Sequence, residues 1–483
     1  LVIISSIHHS IIFAEVNMTN RSLRPTVVLN IVGLTPSLIG KHTPHLKAFR
    51  DRAGNATVRL HEPFPAVTCT SQAQMLTGLA PTDHGIVANG WYFKDLAEVG
   101  FWKQNDGLIQ GEKVHDTLKK RHPEFTAAKM FWWYNMYSQT EWSATPRPHY
   151  PADGRKVFDI YTHPMELRDT LVKELGEFPF HAFWGPAAGI KASEWIAASA
   201  KWIQQYKQPT LNLVYLPHLD YCLQKFGPGA PEIAPELRRI DAVAGDLIEY
   251  FEKQGVRVLI VSEYGITKVT RHTHPNRILR RAGLLAVRPS LTWEMLDAGA
   301  SKAFAVSDHQ ICHIYVNDKS KMGEVIELFE KEPGQRRVIH GEERKRYGLD
   351  HERAGDVILM AEPDNWYTYY YWEDDAKAPD FARCVDIHRK PGYDPCEMFL
   401  DPKKPLAKAT IAASLVKKKL GFRYYMDVIP LDPSLVKGSH GTPVDDPLGA
   451  PLLMGEASVV GTSPSLPMAA VRDAILRAVE SPD

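Results

Sequence analysis

Pro63 to Asn89 reads PFPAVTCTSQAQMLTGLAPTDHGIVAN. A Pro-rich loop gives way at Thr68 to a segment that predicts a helix from about Thr70 to Thr77. A hydroxyl in that position faces the positive end of the helix dipole, where an alkoxide or an anion is stabilised. A Thr hydroxyl is a weak nucleophile by itself and needs a base or a metal ion to activate it. On spacing alone the simpler reading is a helix N-cap.

Three apolar, β-rich runs surround this segment in the chain: Thr26 to Val32, Pro209 to Leu216 and Arg257 to Ser262. They read as buried parallel strands. Between them lie helical patterns such as Leu237 to Gln254, whose Ile240, Val243, Ala244, Leu247, Ile248 and Phe251 share one face. Alternating strands and helices predict a doubly wound, mostly parallel α/β sheet with helices on both faces. Ligands in such sheets sit beyond the carboxyl ends of the strands, which draws attention to Asp220 and Glu263. A further strand, helix, strand pattern (His313 to Val316, Lys321 to Glu330, Arg337 to His340) predicts an inserted second α/β lobe. The expected division is an N-terminal extension over 1–24, a first core part over 25–300, an inserted lobe or cover over 301–425, and a return to the core over 426–483. The aromatic stretch Trp366 to Pro395 reads as a substrate-facing cover or as core.

The chain has 483 residues, 44% of them hydrophobic, enough for a large core. Lys+Arg and Asp+Glu are both 57, so there is no net basic field to hold a nucleic-acid polymer, and a small-molecule phosphoester fits better. Five widely spaced cysteines (Cys69, Cys222, Cys312, Cys384, Cys396) argue against a disulfide framework and for a reducing cytoplasmic or organelle interior. No apolar run is long enough for a membrane span, so a soluble protein is expected. Leu1 to Val16 makes a poor signal peptide, since it lacks a basic start and holds His8, His9 and Glu15. The glycosylation triplets at Asn17, Asn20 and Asn55 are near chance frequency and carry little weight.

FPAVTC followed by TGLAPTDHGIVAN resembles the nucleophile segment of the type I phosphodiesterase/nucleotide pyrophosphatase family, approximately FPTxTxPNHxxLxTGLYPxxHGIxxN, in the alkaline phosphatase superfamily. The resemblance implies an alkaline-phosphatase-like fold and hydrolysis of phosphoester or phosphoanhydride bonds through a phospho-threonine intermediate. Thr68 would be the nucleophile, and Asn89 would stabilise the non-bridging oxygens. His84 and Gly85 would shape the turn. YLPHLDYCLQKFGP (Tyr215 to Pro228) resembles YxxEPDxxGHxxGP and puts Asp220 on a metal-binding Asp. VLIVSEYGI (Val258 to Ile266) resembles VxxVSDHGM and puts Glu263 on another. KGSHGTPVDDPLGAPLLM (Lys437 to Met454) resembles KGxHGYxN and puts His440 on a metal-binding His. The implied cofactor is one or two divalent ions, zinc first, with manganese or calcium as alternatives.

Three positions depart from the family pattern. Val32 stands where the first metal-binding Asp belongs, Gln224 replaces one His and Tyr264 another. Gln224, Asn30 and Tyr264 keep oxygens that a harder ion accepts. His218, His272, His274, Asp386 and His388 are further candidate ligands or substrate contacts, and Arg389 and Lys390 a candidate phosphate clamp. The expectation is a metal-dependent phosphoester hydrolase. The alternatives are a non-catalytic relative that binds a ligand or partner, and other superfamily chemistry such as that of phosphonoacetate hydrolases.

Overall fold

The structure, a computed structural model, describes residues 23–152 and 155–481; the expectations for Leu1 to Val16, Asn17 and Asn20 lie outside them. The three β-rich runs are adjacent strands: β1 (Thr26–Ile31), whose six residues are all buried, lies between two partners in parallel register, Asn30 opposite both Tyr215 and Val261. A strand buried on both faces cannot alternate apolar and polar side chains, which is why TVVLNI is almost continuously apolar.

In chain order the other strands of this nine-stranded sheet are β2 (Asn55–His61), β3 (Ala127–Met130), β4 (Trp142–Pro146), β5 (Ile160–His163), β6 (Leu211–Leu216) and β7 (Arg257–Val261), and, far along the chain, two more at Leu452–Glu456 and Ser465–Pro467. The five central strands, β7, β1, β6, β3 and β4, are parallel; antiparallel pairs occur only toward the edges. Helices α1 (Thr68–Thr77), α2 (Ile190–Lys207), α3 (His218–Phe226) and α4 (Ile233–Lys253) accompany the sheet. On α4 the buried Leu237, Ile240, Ala244, Leu247, Ile248 and Phe251 repeat at helical spacing and hold one face against the core.

A second, antiparallel sheet of four strands has the order Ala303–Asp308, Ile311–Val316, Val357–Ala361, Gln335–His340, with a helix at Met322–Glu330. It has its own apolar core. The aromatic stretch that read as a cover or as core is largely core: Tyr367, Tyr369, Tyr370, Tyr371 and Trp372 belong to this one and Trp366 to a smaller separate cluster, all at most 1% exposed. Burying rings of this size outweighs leaving them as a lid. Only the far end of the stretch, at Ile387 and Tyr393, reaches the cleft described below. All five cysteines are unpaired, and among the described residues no helix is long and apolar enough to cross a membrane.

Candidate functional site

Thr68 is the first residue of α1, not its cap. The capping position is Val67, whose side chain makes no capping hydrogen bond. The other end closes on Gly78, whose φ of 71° is open to a residue without a Cβ. Thr68 is 4% exposed, and its Oγ1 lies 3.0 Å from the Tyr264 hydroxyl. Asn89 sits over the same helix end. Its Oδ1 accepts from the Cys69 N–H at 2.9 Å, while its Nδ2 donates to Asp308 Oδ1 at 3.1 Å and its backbone N–H to Asp308 Oδ2 at 2.8 Å. Asp308, at the end of a strand of the second sheet, therefore orients the Asn89 amide beside the first turn of α1.

Asp220, the third residue of α3, carries hydrogen donors on both oxygens. The Tyr264 hydroxyl donates to Oδ1 at 3.1 Å and the Gln224 amide to Oδ2 at 2.9 Å. Gln224 Oε1 in turn accepts from the Tyr393 hydroxyl at 3.1 Å. Burial pushes the Asp220 carboxyl up to about 7, against the pull of these two hydrogen bonds. His440 Nδ1 lies 2.8 Å from the Ala66 carbonyl, which can only accept, so Nδ1 carries the proton. His440 Nε2 is consequently a bare lone pair, 3.6 Å from Asp220 Oδ1, and burial lowers the imidazole to about 3. The Tyr264, His440, His309 and Tyr393 rings form one stack, with successive centroids 3.6, 3.7 and 3.7 Å apart.

Glu263 is a structural tie. Its Oε1 accepts from Asn30 Nδ2 and from Gln72 Nε2, both at 2.6 Å, and Ser71 Oγ donates to its backbone carbonyl, so it clamps α1 to β1 and to the end of β7. Fully buried, its carboxyl is pushed up to about 8. The native state therefore holds this proton more tightly than the unfolded chain does. The resulting stability is complete below the ordinary carboxylate range and is lost as pH rises through about 8. Glu263→Gln is thus expected to melt within a degree or so of the wild type at pH 5 and several degrees above it at pH 9, as checked by thermal melts across that range.

These donor sets do not fit the two-ion centre that the resemblance implies. A cation needs lone pairs, and here N–H and O–H groups point at both Asp220 oxygens and, twice, at Glu263 Oε1, so that of these side chains only Glu263 Oε2, Asn30 Oδ1 and His440 Nε2 keep unpartnered buried acceptors, too few for two ions. Val32, on the position of a metal-binding Asp, is apolar and fully buried. Gln224 has both ends of its amide engaged. Among the described residues, no group of three or more His, Cys, Asp or Glu is placed to hold a metal ion.

The other candidates take different places. Lys390, a candidate for a phosphate clamp or an ordinary solvated loop, is neither: it is buried at 1% exposure and is paired with Asp394 at 2.8 Å and Glu397 at 2.7 Å. Arg389 faces Asp380 and Asp386, and the Asp386 backbone N–H donates to Glu397. His388 lines a separate groove with Glu98, Arg288 and Arg389. His274 lies 2.6 Å from Thr368 Oγ1 and stacks on Tyr370, while His218 pairs with Glu236 at 2.9 Å. What the sequence reading missed is Gln72, Asp308, His309 and Tyr393. The signal for one pair was available: Asp308 ends an apolar strand and His309 follows it, much as Glu263 and Tyr264 come just beyond one.

Beside Thr68 the site opens into a cleft walled by Trp102, Trp133, Phe183, Trp184, Tyr215, Tyr221 and Tyr393, with Thr68, Asp220, Tyr264 and His309 at its polar side. Trp102 is held at φ 58°, an uncommon conformation for a bulky residue, by its N–H bonding the Asn89 carbonyl. No Lys or Arg lines the cleft among the described residues.

Over 276 residues, 54% of this chain, the sequence is 24% identical to an uncharacterized pyrophosphatase/phosphodiesterase of Schizosaccharomyces pombe, of which the match spans 48%. Over 375 residues, 72% of this chain, it is 22% identical to ectonucleotide pyrophosphatase/phosphodiesterase 2 of Saccharomyces cerevisiae, of which the match spans 65%. The chain thus spans less than two thirds of either relative. The fold is similar to that of human ectonucleotide pyrophosphatase/phosphodiesterase 5, with a TM-score of 0.58 over 94% of both chains at 14% identity. A family model described as type I phosphodiesterase / nucleotide pyrophosphatase matches residues 26–394. With well over half of its length matched, the chain belongs to the type I phosphodiesterase/nucleotide pyrophosphatase family of the alkaline phosphatase superfamily.

Proposed function

We propose that this chain hydrolyses phosphodiesters through a phosphorylated Thr68, with Asn89 steadying the oxygens of the transferring group. The observation that carries the reading is the position of Thr68: it opens α1, caps nothing, and turns its hydroxyl toward an aromatic cleft. The α1 N-terminus favours the negative charge that grows on the phosphoryl oxygens. The aromatic walls suit a flat or apolar leaving group.

A diester fits better than a monoester. With Asp220 on the wall and no cationic side chain lining the cleft, a single negative charge is repelled less than the roughly two charges of a monoester at neutral pH. Members of the family generally depend on divalent metal ions. The donor sets around Asp220 and Glu263 do not fit the family's ion pair, so no step of this proposal passes through one.

The test compares bis(4-nitrophenyl) phosphate with 4-nitrophenyl phosphate. The expected result is a kcat/KM at least about tenfold higher for the diester, a difference near 1.4 kcal/mol. Hydrolysis of neither substrate above the Thr68→Ala background would remove the proposal. A second reading, a relative that binds a ligand without turnover, is favoured by one observation: the oxygens of Asp220 and the amides of Asn89 and Gln224 all have partners inside the protein. The same assay decides between the two.

A further inference from the structure

We infer that Tyr264 and Asp220 form a proton relay that activates Thr68, in the place where the family's pattern has metal ligands. The inference rests on Thr68 being the nucleophile. Three observations carry it.

The first is direction. Tyr264 Oη lies 3.0 Å from Thr68 Oγ1 and donates its own hydrogen to Asp220 Oδ1 at 3.1 Å. A hydroxyl that donates to a carboxylate has its lone pairs left for the other neighbour, so Tyr264 can accept from Thr68, whose hydroxyl also has the buried Glu263 carboxyl within hydrogen-bond reach. The chain runs from Thr68 Oγ–H to Tyr264 Oη–H to Asp220 Oδ1, the order a base-assisted attack needs.

The second is rigidity. The Tyr264 ring is the end of the four-ring stack through His440 and His309 to Tyr393. Tyr393 closes the circuit on the same carboxylate, through Gln224 to Asp220 Oδ2. Both ends of the stack are thereby tied to Asp220, and the Tyr264 hydroxyl has little freedom to leave Thr68.

The third is the far end of the relay. His440 Nε2 is buried, has no hydrogen-bond partner, and stands 3.6 Å from Asp220 Oδ1 with its lone pair exposed toward it. A proton arriving on Asp220 Oδ1 meets an acceptor there, whereas an ionised Asp220 meets only a second lone pair.

In the reaction, the Thr68 proton passes to Tyr264 Oη as the Tyr264 proton passes to Asp220 Oδ1. The Oγ–P bond forms, the P–O bond to the leaving alcohol breaks with its electron pair, and the leaving oxygen takes a proton from solvent. Water then adds at phosphorus and releases one proton to solvent. Thr68 leaves as the alkoxide and recovers its proton from Asp220 through Tyr264. Tyr264 touches the reacting oxygen and is a catalytic residue in this scheme, and Asp220 acts through it.

The test labels Thr68 with a neutral fluorophosphonate in the presence of a chelator, read by intact mass and by mapping of the modified peptide. Oγ–P forms and fluoride leaves, so the readout needs no knowledge of the natural substrate. The wild type is expected to label at Thr68 with chelator present, and Tyr264→Phe, which keeps the ring in the stack, to label about 10²-fold more slowly. Asp220→Asn should slow labelling similarly, and the double variant no further, because the two act as one unit. A parallel zinc titration is expected to find no stoichiometric micromolar site in the wild type and a gained one in the variant carrying Val32→Asp, Gln224→His, Glu263→Asp and Tyr264→His. Labelling that requires added metal, or Tyr264→Phe labelling at the wild-type rate, overturns the relay. Diester turnover that depends on Thr68 but also on added metal would overturn the relay and leave the proposed function standing. Labelling as expected with no diester turnover would do the reverse.

Discussion

Thr68→Ala lowers the hydrolysis of bis(4-nitrophenyl) phosphate by at least about 10³-fold, the loss expected when the only nucleophile of a two-step displacement is removed. The fold should survive, because Thr68 caps no helix and its side chain reaches only the hydroxyl of Tyr264 and the carboxyl of Glu263, the latter already held by Asn30 and Gln72. Far-ultraviolet circular dichroism and the thermal midpoint should therefore match the wild type within a degree or two, so the lost turnover reads as lost chemistry. Thr68→Ser keeps the oxygen and is expected to retain a measurable fraction of the rate. Rapid quenching of the wild-type reaction should show a mass increase on the peptide that carries Thr68. Turnover by Thr68→Ala within about tenfold of the wild type would mean that another group attacks phosphorus, and the reading of the site would fail with it.

Lys390→Met destabilises the protein by about 3–5 kcal/mol, the range for removing one partner of a buried ion pair. Burial alone would depress the ammonium, but Asp394 and Glu397 outweigh it and hold Lys390 above its usual range. The Lys390 ammonium also reaches the Ala382 carbonyl at 3.3 Å. Removing it leaves two buried carboxylates facing an apolar side chain. Chemical denaturation followed by tryptophan fluorescence measures the loss. The triple variant Lys390→Met, Asp394→Asn, Glu397→Gln should recover most of it, since no uncompensated charge remains. A phosphate clamp predicts the opposite pattern: unchanged stability for Lys390→Met with a raised KM.

These two residues mark the limits of what the sequence carries. Thr68 could be singled out from the sequence because its signal is local: a loop, a helix and a hydroxyl at their junction, within a contiguous motif. Lys390 was misread because HRKPGYDP has the composition of a solvated basic turn. Its two acids lie four and seven residues further on, and only the folded turn turns all three inward. The aromatic run Trp366 to Trp372 was ambiguous for the same reason, since large rings serve a cover or a core equally well until a second sheet is there to bury them.

The carboxylates of the site show the same divide. Asp220 and Glu263 are placed by short-range rules, directly beyond the ends of buried parallel strands, and the sequence located both. What each would bind could not be read, because that depends on donors brought from elsewhere: Gln72 and Asn30 to Glu263, Tyr264 to Asp220, and Tyr393 to Gln224 from 169 residues away.

The sequence by itself therefore determined the three central strands and the principal helices beside them, the α/β class, the family and the nucleophile candidate, all of which rest on the period of apolar residues or on contiguous motifs. Only the tertiary structure decided that Glu263 is a tie, that Lys390 is a buried ion pair, and that Tyr264 stands between Thr68 and Asp220. A carboxylate accepts a cation or a hydrogen-bond donor with the same lone pairs, and which one it meets is settled by the side chains that packing places around it.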